Sequence, residues 1–258
     1  MKIWMRTLLL CGLLSGLPAG SASAAELAGE LVWARTAELS LPASGRVEKV
    51  AVAPGVAVAA GQVVLELDAR AARAKLADAR AAQREAELRR AEAQREWDRA
   101  RELYDRTVLS ERELQLAEIG FAAADAQHQA ARAAAVAAEV DLDYTRLSAP
   151  FDAWILALYV APGQAVVNQV QAMSLMRVAE RGRMRVRAAA DAAQLAGLAP
   201  DAAVTVQVGD RRFEARMVSL GREALGAERP ARYAVEAEFA VPDDIPLRAG
   251  QAATLVLP

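Results

Sequence analysis

From Ala69 to about Arg106 the sequence has neither glycine nor proline, and from Glu111 to about Thr145 only Gly120 interrupts a second run of the same kind. Alanine, arginine, glutamate, leucine and glutamine fill both runs, and all are strong helix formers. Taken in alternating steps of four and three, Ala72, Leu76, Ala79, Gln83, Ala86, Arg90, Ala93, Trp97, Ala100 and Tyr104 form a seam in the first run. Leu114, Ala117, Phe121, Ala124, His128, Ala131, Ala135, Ala138 and Leu142 repeat it in the second. This spacing predicts a coiled-coil pair with two polar interruptions, Gln83 and Arg90, in its first helix. Ser110 with Glu113 three residues later is a capping box that opens the second helix. A link as short as 105–110 between helices of equal length demands an antiparallel hairpin. About 37 residues at 1.5 Å each make a rod of roughly 55 Å.

Composition agrees with a rod. The 258 residues include 63 alanines, and 54% are hydrophobic while only 5% are aromatic. Alanine buries little surface but lets helices approach closely. Charge is nearly balanced, 33 acidic against 31 basic residues, which argues against a general nucleic-acid binder. With 25% charged residues and that apolar content, wholesale disorder is also excluded.

The segments flanking the hairpin read as two halves of one β unit. In 39–68, the runs Val50-Ala51-Val52 and Val63-Val64-Leu65 alternate with glycine turns at Gly45, Gly55 and Gly61. In 147–178, Ala161-Pro162-Gly163 answers Ala53-Pro54-Gly55. Each Pro-Gly pair is a type II turn candidate, with glycine supplying the positive φ. A third unit follows from about Arg183. A strand is expected at 184–188, a short helix from Ala189 to Leu198, and further strands at 204–208, 213–218, 233–239 and 254–257. Several short strands with turn signals predict a small barrel.

The first residues read as an address. Lys2 and Arg6 precede the apolar run 7–17, and Ala22-Ser23-Ala24 offers a small-residue processing site, so residues 1–24 are expected to be a secretory leader cut near Ala24. Cys11, the one cysteine, lies inside it. The mature chain then has no thiol, a formal charge of −4 rather than −2, and no apolar stretch long enough to span a bilayer.

With these elements in order, the chain resembles the periplasmic adaptor subunits (membrane fusion proteins, HlyD type) of tripartite efflux pumps. Ser44-Gly45-Arg46-Val47 through Pro54-Gly55, Gly61 and Leu65-Glu66-Leu67-Asp68 is similar to the family's first lipoyl half. Leu147-Ser148-Ala149-Pro150-Phe151-Asp152 with Pro162-Gly163 is similar to the second, although Ala153 stands where the family usually has glycine. Pro242 through Leu247-Arg248-Ala249-Gly250-Gln251 resembles the closing turn of the barrel. The resemblance implies an α+β fold: an elongated, split lipoyl-like β domain interrupted by the antiparallel hairpin, then a small β-barrel. Its segments would be 25–68 (an N-terminal strand and the first lipoyl half), 69–145 (hairpin), 146–178 (second half) and 179–258 (barrel), without a full membrane-proximal domain. It also implies partners: an inner-membrane efflux transporter of RND or ABC type, a TolC-like outer-membrane channel, and other copies of the chain in a ring. The location implied is the periplasm, beside the inner membrane. Arg99, Leu103 and Ser110 match the R-x3-L-x6-S pattern with which family members engage the channel at the hairpin tip.

Other chemistry finds little support in the residues. A biotin or lipoyl carrier needs a lysine at a hairpin tip, and Ala172-Met173-Ser174 has serine there, while Lys49 and Lys75 fall on a strand and a helix. His128 is the only histidine and sits on the hairpin seam, so no histidine–cysteine metal set and no histidine-activated nucleophile can be assembled. No glycine-rich phosphate loop is present. The expectation is therefore no enzyme, no cofactor, no metal and no nucleic acid. A scaffold of the envelope, using its coiled coil for some other partner, is the alternative reading.

Overall fold

The computed structural model describes residues 25–168, 172–227 and 229–258. The expected leader, its processing site at Ala24 and Cys11 lie outside the described residues. The chain divides into two compact units.

One unit is a closed six-stranded barrel. Its strands are β1 (Glu26–Trp33), β10 (Arg183–Asp191), β11 (Ala203–Val208), β12 (Arg211–Ala224), β13 (Arg232–Ala240) and β14 (Ala252–Val256), ordered β1-β10-β13-β12-β11-β14. Buried and exposed residues alternate along β10 and β13, whereas β12 loses the alternation after Met217, where its register against β13 shifts. Val186, Ala188 and Ala190 of β10 are buried, as are Leu31, Val206, Met217, Val235, Ala237 and Leu255. Phe213 and Phe239 meet with centroids 5.0 Å apart. The outer face of β10 and β13 carries an ion ladder, Arg185 Nε to Glu238 at 2.9 Å and Arg187 to Glu236 at 2.8 Å.

Two expectations for this unit change. β1 closes the barrel by pairing antiparallel with β14, Leu27 opposite Leu255, although the sequence grouped it with the strands that follow it. Nothing in an isolated strand's pattern names its partner. The short helix expected over 189–198 shrinks to α3 (Ala192–Leu195), because β10 continues to Asp191. Asp191 caps α3 reciprocally with Gln194.

The other unit holds eight strands in two sheets. The strands are β2 (Thr36–Leu39), β3 (Gly45–Val50), β4 (Ala57–Val58), β5 (Val63–Leu67), β6 (Arg146–Ser148), β7 (Ala153–Leu158), β8 (Ala165–Val166) and β9 (Met176–Glu180). The sheet orders are β2-β9-β7-β4 and β6-β5-β3-β8. Exchanging β2 with β6, β3 with β7, β4 with β8 and β5 with β9 turns one sheet into the other. The unit is thus two interlocked copies of one four-stranded pattern. Gly55 N–H donates to Ile155 O and Gly163 N–H donates to Val47 O, both at 2.8 Å, which is the same bond made by each copy. Gly55 (φ 83°) and Gly163 (φ 89°) both have the left-handed backbone that the Pro-Gly turns require. Between the sheets lies one core built on Val47, Val58, Val64, Leu65, Leu67, Ile155, Val166, Leu175, Met176 and Val178.

Gly45 is not a turn. It opens β3, opposite Val166, with ordinary backbone, and a Cβ there would sit 3.6 Å from Leu67. Its counterpart in the second copy is Ala153, fully buried at the start of β7, so neither position requires glycine. The strand expected over 50–52 ends at Val50, where the chain leaves the sheet for the Pro54-Gly55 turn.

Between β5 and β6 the chain makes α1 (Arg70–Asp105) and α2 (Glu111–Asp143). Cross-helix contacts run in opposite directions along the two: Lys75 with Asp141 at 2.6 Å, Arg80 with Glu139 at 3.0 Å, Arg90 with Asp125, and Trp97 stacked on Phe121 at 5.3 Å. The helices are therefore antiparallel neighbours. Every expected seam residue is buried or half-buried except Tyr104, which turns outward and yields its place to Leu103. The Arg90 interruption is resolved by Asp125 and by the Phe121 ring, whose centroid is 5.5 Å from the guanidinium carbon. Among the described residues no helix is long and apolar enough to cross a membrane.

Candidate functional site

The turn joining α1 to α2 is exposed and closed by backbone hydrogen bonds. α1 ends in a Schellman arrangement: Val108 N–H donates to Leu103 O at 3.0 Å and Thr107 N–H to Tyr104 O at 2.8 Å. This closure needs a left-handed residue between them, and Thr107 supplies it at φ 57°. Glycine normally fills that position, and a β-branched residue there is strained. The turn then presents Val108 outward, 71% exposed.

α2 begins on the expected capping box. Glu113 accepts from Ser110 N–H at 3.0 Å, and Ser110 Oγ accepts from Glu113 N–H at 3.4 Å. The Ser110 hydroxyl also donates to the Glu113 carboxylate at 2.6 Å. These bonds to Ser110 hold the Glu113 carboxyl below its usual range.

Arg99, Leu103 and Ser110 all belong to this end of the helix pair. Arg99 and Leu103 lie one turn apart on α1, on the same side of the helix. Leu103 is half-buried at the last turn, and Arg99 and Ser110 are exposed. Ser110 is already engaged by its cap. Sequence reasoning missed Val108 and the left-handed Thr107, because threonine is not a residue that signals such a backbone. Of the expected turn residues, Gly55, Gly61 and Gly163 have positive φ, and Pro54, Pro150 and Pro162 lie in the connections between strands.

The opposite end of α1 is fixed by Asp68, whose Oδ1 accepts from Arg70 N–H at 3.1 Å and whose Oδ2 meets Arg70 Nη2 at 2.6 Å. The side-chain and backbone hydrogen bonds from Arg70 lower the Asp68 pKa to about 2. No group of three or more histidine, cysteine or acidic residues able to hold a metal ion occurs among the described residues. His128 is half-buried in the seam, with Nδ1 buried and unpartnered. Lys49 lies on β3 and Lys75 on α1, so neither stands at a hairpin tip.

No protein-family model matches the chain. Among solved structures it is similar to the membrane fusion protein Spr0693 of Streptococcus pneumoniae R6, with a TM-score of 0.69 at 13% identity over 90% of this chain and 98% of that one. The chain thus has the fold of a membrane fusion protein. A chimeric MacA-MexA protein containing the Pseudomonas aeruginosa MexA alpha-hairpin domain gives a TM-score of 0.66 at 20% identity, covering 90% of this chain and 80% of its own. In sequence, the chain is 27% identical over 186 residues to the macrolide export protein MacA of Yersinia pestis, covering 67% of this chain. That match spans about half the length of the relative.

Proposed function

We propose that this chain is a periplasmic adaptor, linking an inner-membrane efflux transporter of RND or ABC type to a TolC-like outer-membrane channel. The observation that carries the reading is the insertion of α1 and α2 between the two interlocked halves of one β unit. A small β unit gains nothing for its own core from two such helices, whose free end is a rigidly closed turn. Such an insert reaches a partner. The split β unit is then a lipoyl-like packing module, and with no lysine at a turn it has no carrier chemistry. The leader at 1–24 would deliver the chain to the periplasm, where several copies stand side by side as a ring. Substrate passes through the assembly and need not be bound by any residue of this chain.

Channel contact falls to Arg99, Leu103 and Ser110 on this reading, with Leu103 packing against the channel's helix ends. The similarity to a macrolide export protein supports the direction of transport. Arg99→Asp or Leu103→Ser is expected to abolish outward transport while leaving the circular dichroism spectrum unchanged. Transport retained by both variants would overturn the assignment of the tip. Leu103→Cys is expected to crosslink to the outer-membrane channel in cells, whereas capture of another envelope protein instead would favour the scaffold reading.

A further inference from the structure

Three segments grouped with the β unit lead to barrel strands. They are the link 33–35 before β2, the link 181–182 after β9, and the strap 241–247 between β13 and β14. The strap belongs with the β unit, although the strands on either side of it are barrel strands.

The two links are fixed to each other and to the turn before β7. Glu180 N–H donates to Arg35 O and Arg181 N–H donates to Asp152 O, both at 2.9 Å. The Arg35 guanidinium lies over the Phe151 ring, its carbon 4.4 Å from the centroid. Asp152 is itself held, because its Oδ1 accepts from Ala60 N–H at 2.8 Å.

The duplicated β pattern shows what Phe151 adds. Pro42-Ala43-Ser44 precedes β3 as Pro150-Phe151-Asp152 precedes β7. Ser44 Oγ accepts from Asn168 N–H at 3.0 Å, the counterpart of the bond between Ala60 and Asp152. Ala43 and Phe151 both pack against the core. A place that alanine fills in one copy does not need phenylalanine in the other for the sake of the core. What the ring gains is Arg35, on the link towards the barrel strands.

The strap is held more lightly. Val241 N–H donates to Gly182 O at 2.9 Å, and Arg181 Nε meets the Asp243 carboxylate at 3.4 Å. Ile245 N–H donates to Pro242 O and Leu247 N–H to Ile245 O, bonds that shape the strap without fastening it. The Asp243 side chain is 69% exposed and that of Arg181 35%, so their pair contributes little in water and less in salt. Segments with few buried contacts and exposed bonds open locally, ahead of the sheets around them.

We propose that the strap 241–247 is an ionic clasp on the β unit, released by loss of the Arg181–Asp243 pair while the links fixed by Phe151 and Asp152 stay shut. Arg181 divides its roles: its backbone belongs to the fixed link and its side chain to the clasp. Opening lengthens the connection from β13 to β14 without breaking any strand pairing. The inference does not depend on the adaptor reading.

Amide hydrogen exchange in the full chain separates the clasp from the links. Raising the salt concentration is expected to speed exchange at Val241 by up to about fivefold, the range of an exposed ion pair, and to leave Glu180 and Arg181 unchanged. Asp243→Ala should show the fast rate already at low salt and lose the salt dependence. The exchanged pair Arg181→Glu/Asp243→Arg should restore slow exchange at low salt. Phe151→Leu keeps an apolar side chain but loses the ring, and should speed exchange at Glu180 about two- to fivefold. Phe151→Tyr should bring it back. An Asp243→Ala chain indistinguishable from the native one would overturn the clasp, as would exchange at Val241 and Arg181 that always changes in step. An unaltered Glu180 in Phe151→Leu would overturn the fixed link.

Discussion

Val108 N–H closes onto Leu103 O at 3.0 Å, and that single bond obliges Thr107 to take the left-handed backbone at φ 57°. The left-handed conformation costs a residue with a Cβ about 1–2 kcal/mol. Thr107→Gly is therefore expected to stabilise the helix pair by about 1 kcal/mol in urea unfolding followed by helical circular dichroism. A loss of stability would show that the Thr107 side chain contributes more than its backbone strain costs.

The cap at Ser110 should matter to folding whatever it does at a partner. Ser110→Ala removes one side of the reciprocal capping box and is expected to cost about 1 kcal/mol in the same assay. Ser110→Asp can still accept from Glu113 N–H but places a second carboxylate beside Glu113. It should fall between the two. If Ser110→Asp preserves stability but not transport, the hydroxyl itself is needed at the tip.

Acid should loosen both helix starts. The Asp68 pKa is depressed to about 2 from an ordinary 3.8, and Glu113 is depressed as well. Groups of this kind contribute stability that is full above the unfolded pKa and lost as pH falls through the folded one. Backbone amide exchange in the first turn of α1 is thus expected to accelerate as pH drops from about 4 towards 2, after correction for intrinsic exchange. In Asp68→Asn that pH dependence should disappear from α1 while persisting in α2.

Within the barrel, a Cβ on Gly29 would lie 2.5 Å from Arg187 O, closer than any real contact. Gly29→Ala must push β1 away from β10 and should destabilise the barrel by about 1–3 kcal/mol, the usual range for overpacking. Thermal unfolding read by the exposure of Met217 or Phe239 would report it. An unchanged midpoint would mean that the strands yield without loss.

Arg90, Asp125 and Phe121 form the polar knot of the seam, and their coupling is measurable. A double-mutant cycle on Arg90→Ala and Asp125→Ala is expected to show a coupling of about 0.2–1 kcal/mol, because both side chains are partly exposed. Raising the salt concentration should shrink that coupling. It should leave the cost of Phe121→Ala, which breaks the stack on Trp97, unchanged.

The helix pair was almost wholly legible in the residues. A heptad pattern depends only on local spacing, so the seam from Ala72 to Ala100 and from Leu114 to Leu142, and the Ser110 cap, followed from the chain alone. The repeat linking Pro54-Gly55 to Pro162-Gly163 was legible too, because a positive φ restricts the choice of residue. Tertiary structure decided what local spacing cannot encode. Strand pairing is a contact between distant segments, so only the fold could assign β1 to β14 or interlock the two β halves. Tyr104 turned outward because the Leu103–Val108 closure governs the last turn, and Thr107 took a backbone its side chain disfavours because the turn left no other. Leu116, Ile119 and Val140 of α2 are plainly apolar in the sequence, but only the packing of α1 against the opposite face showed that they face solvent.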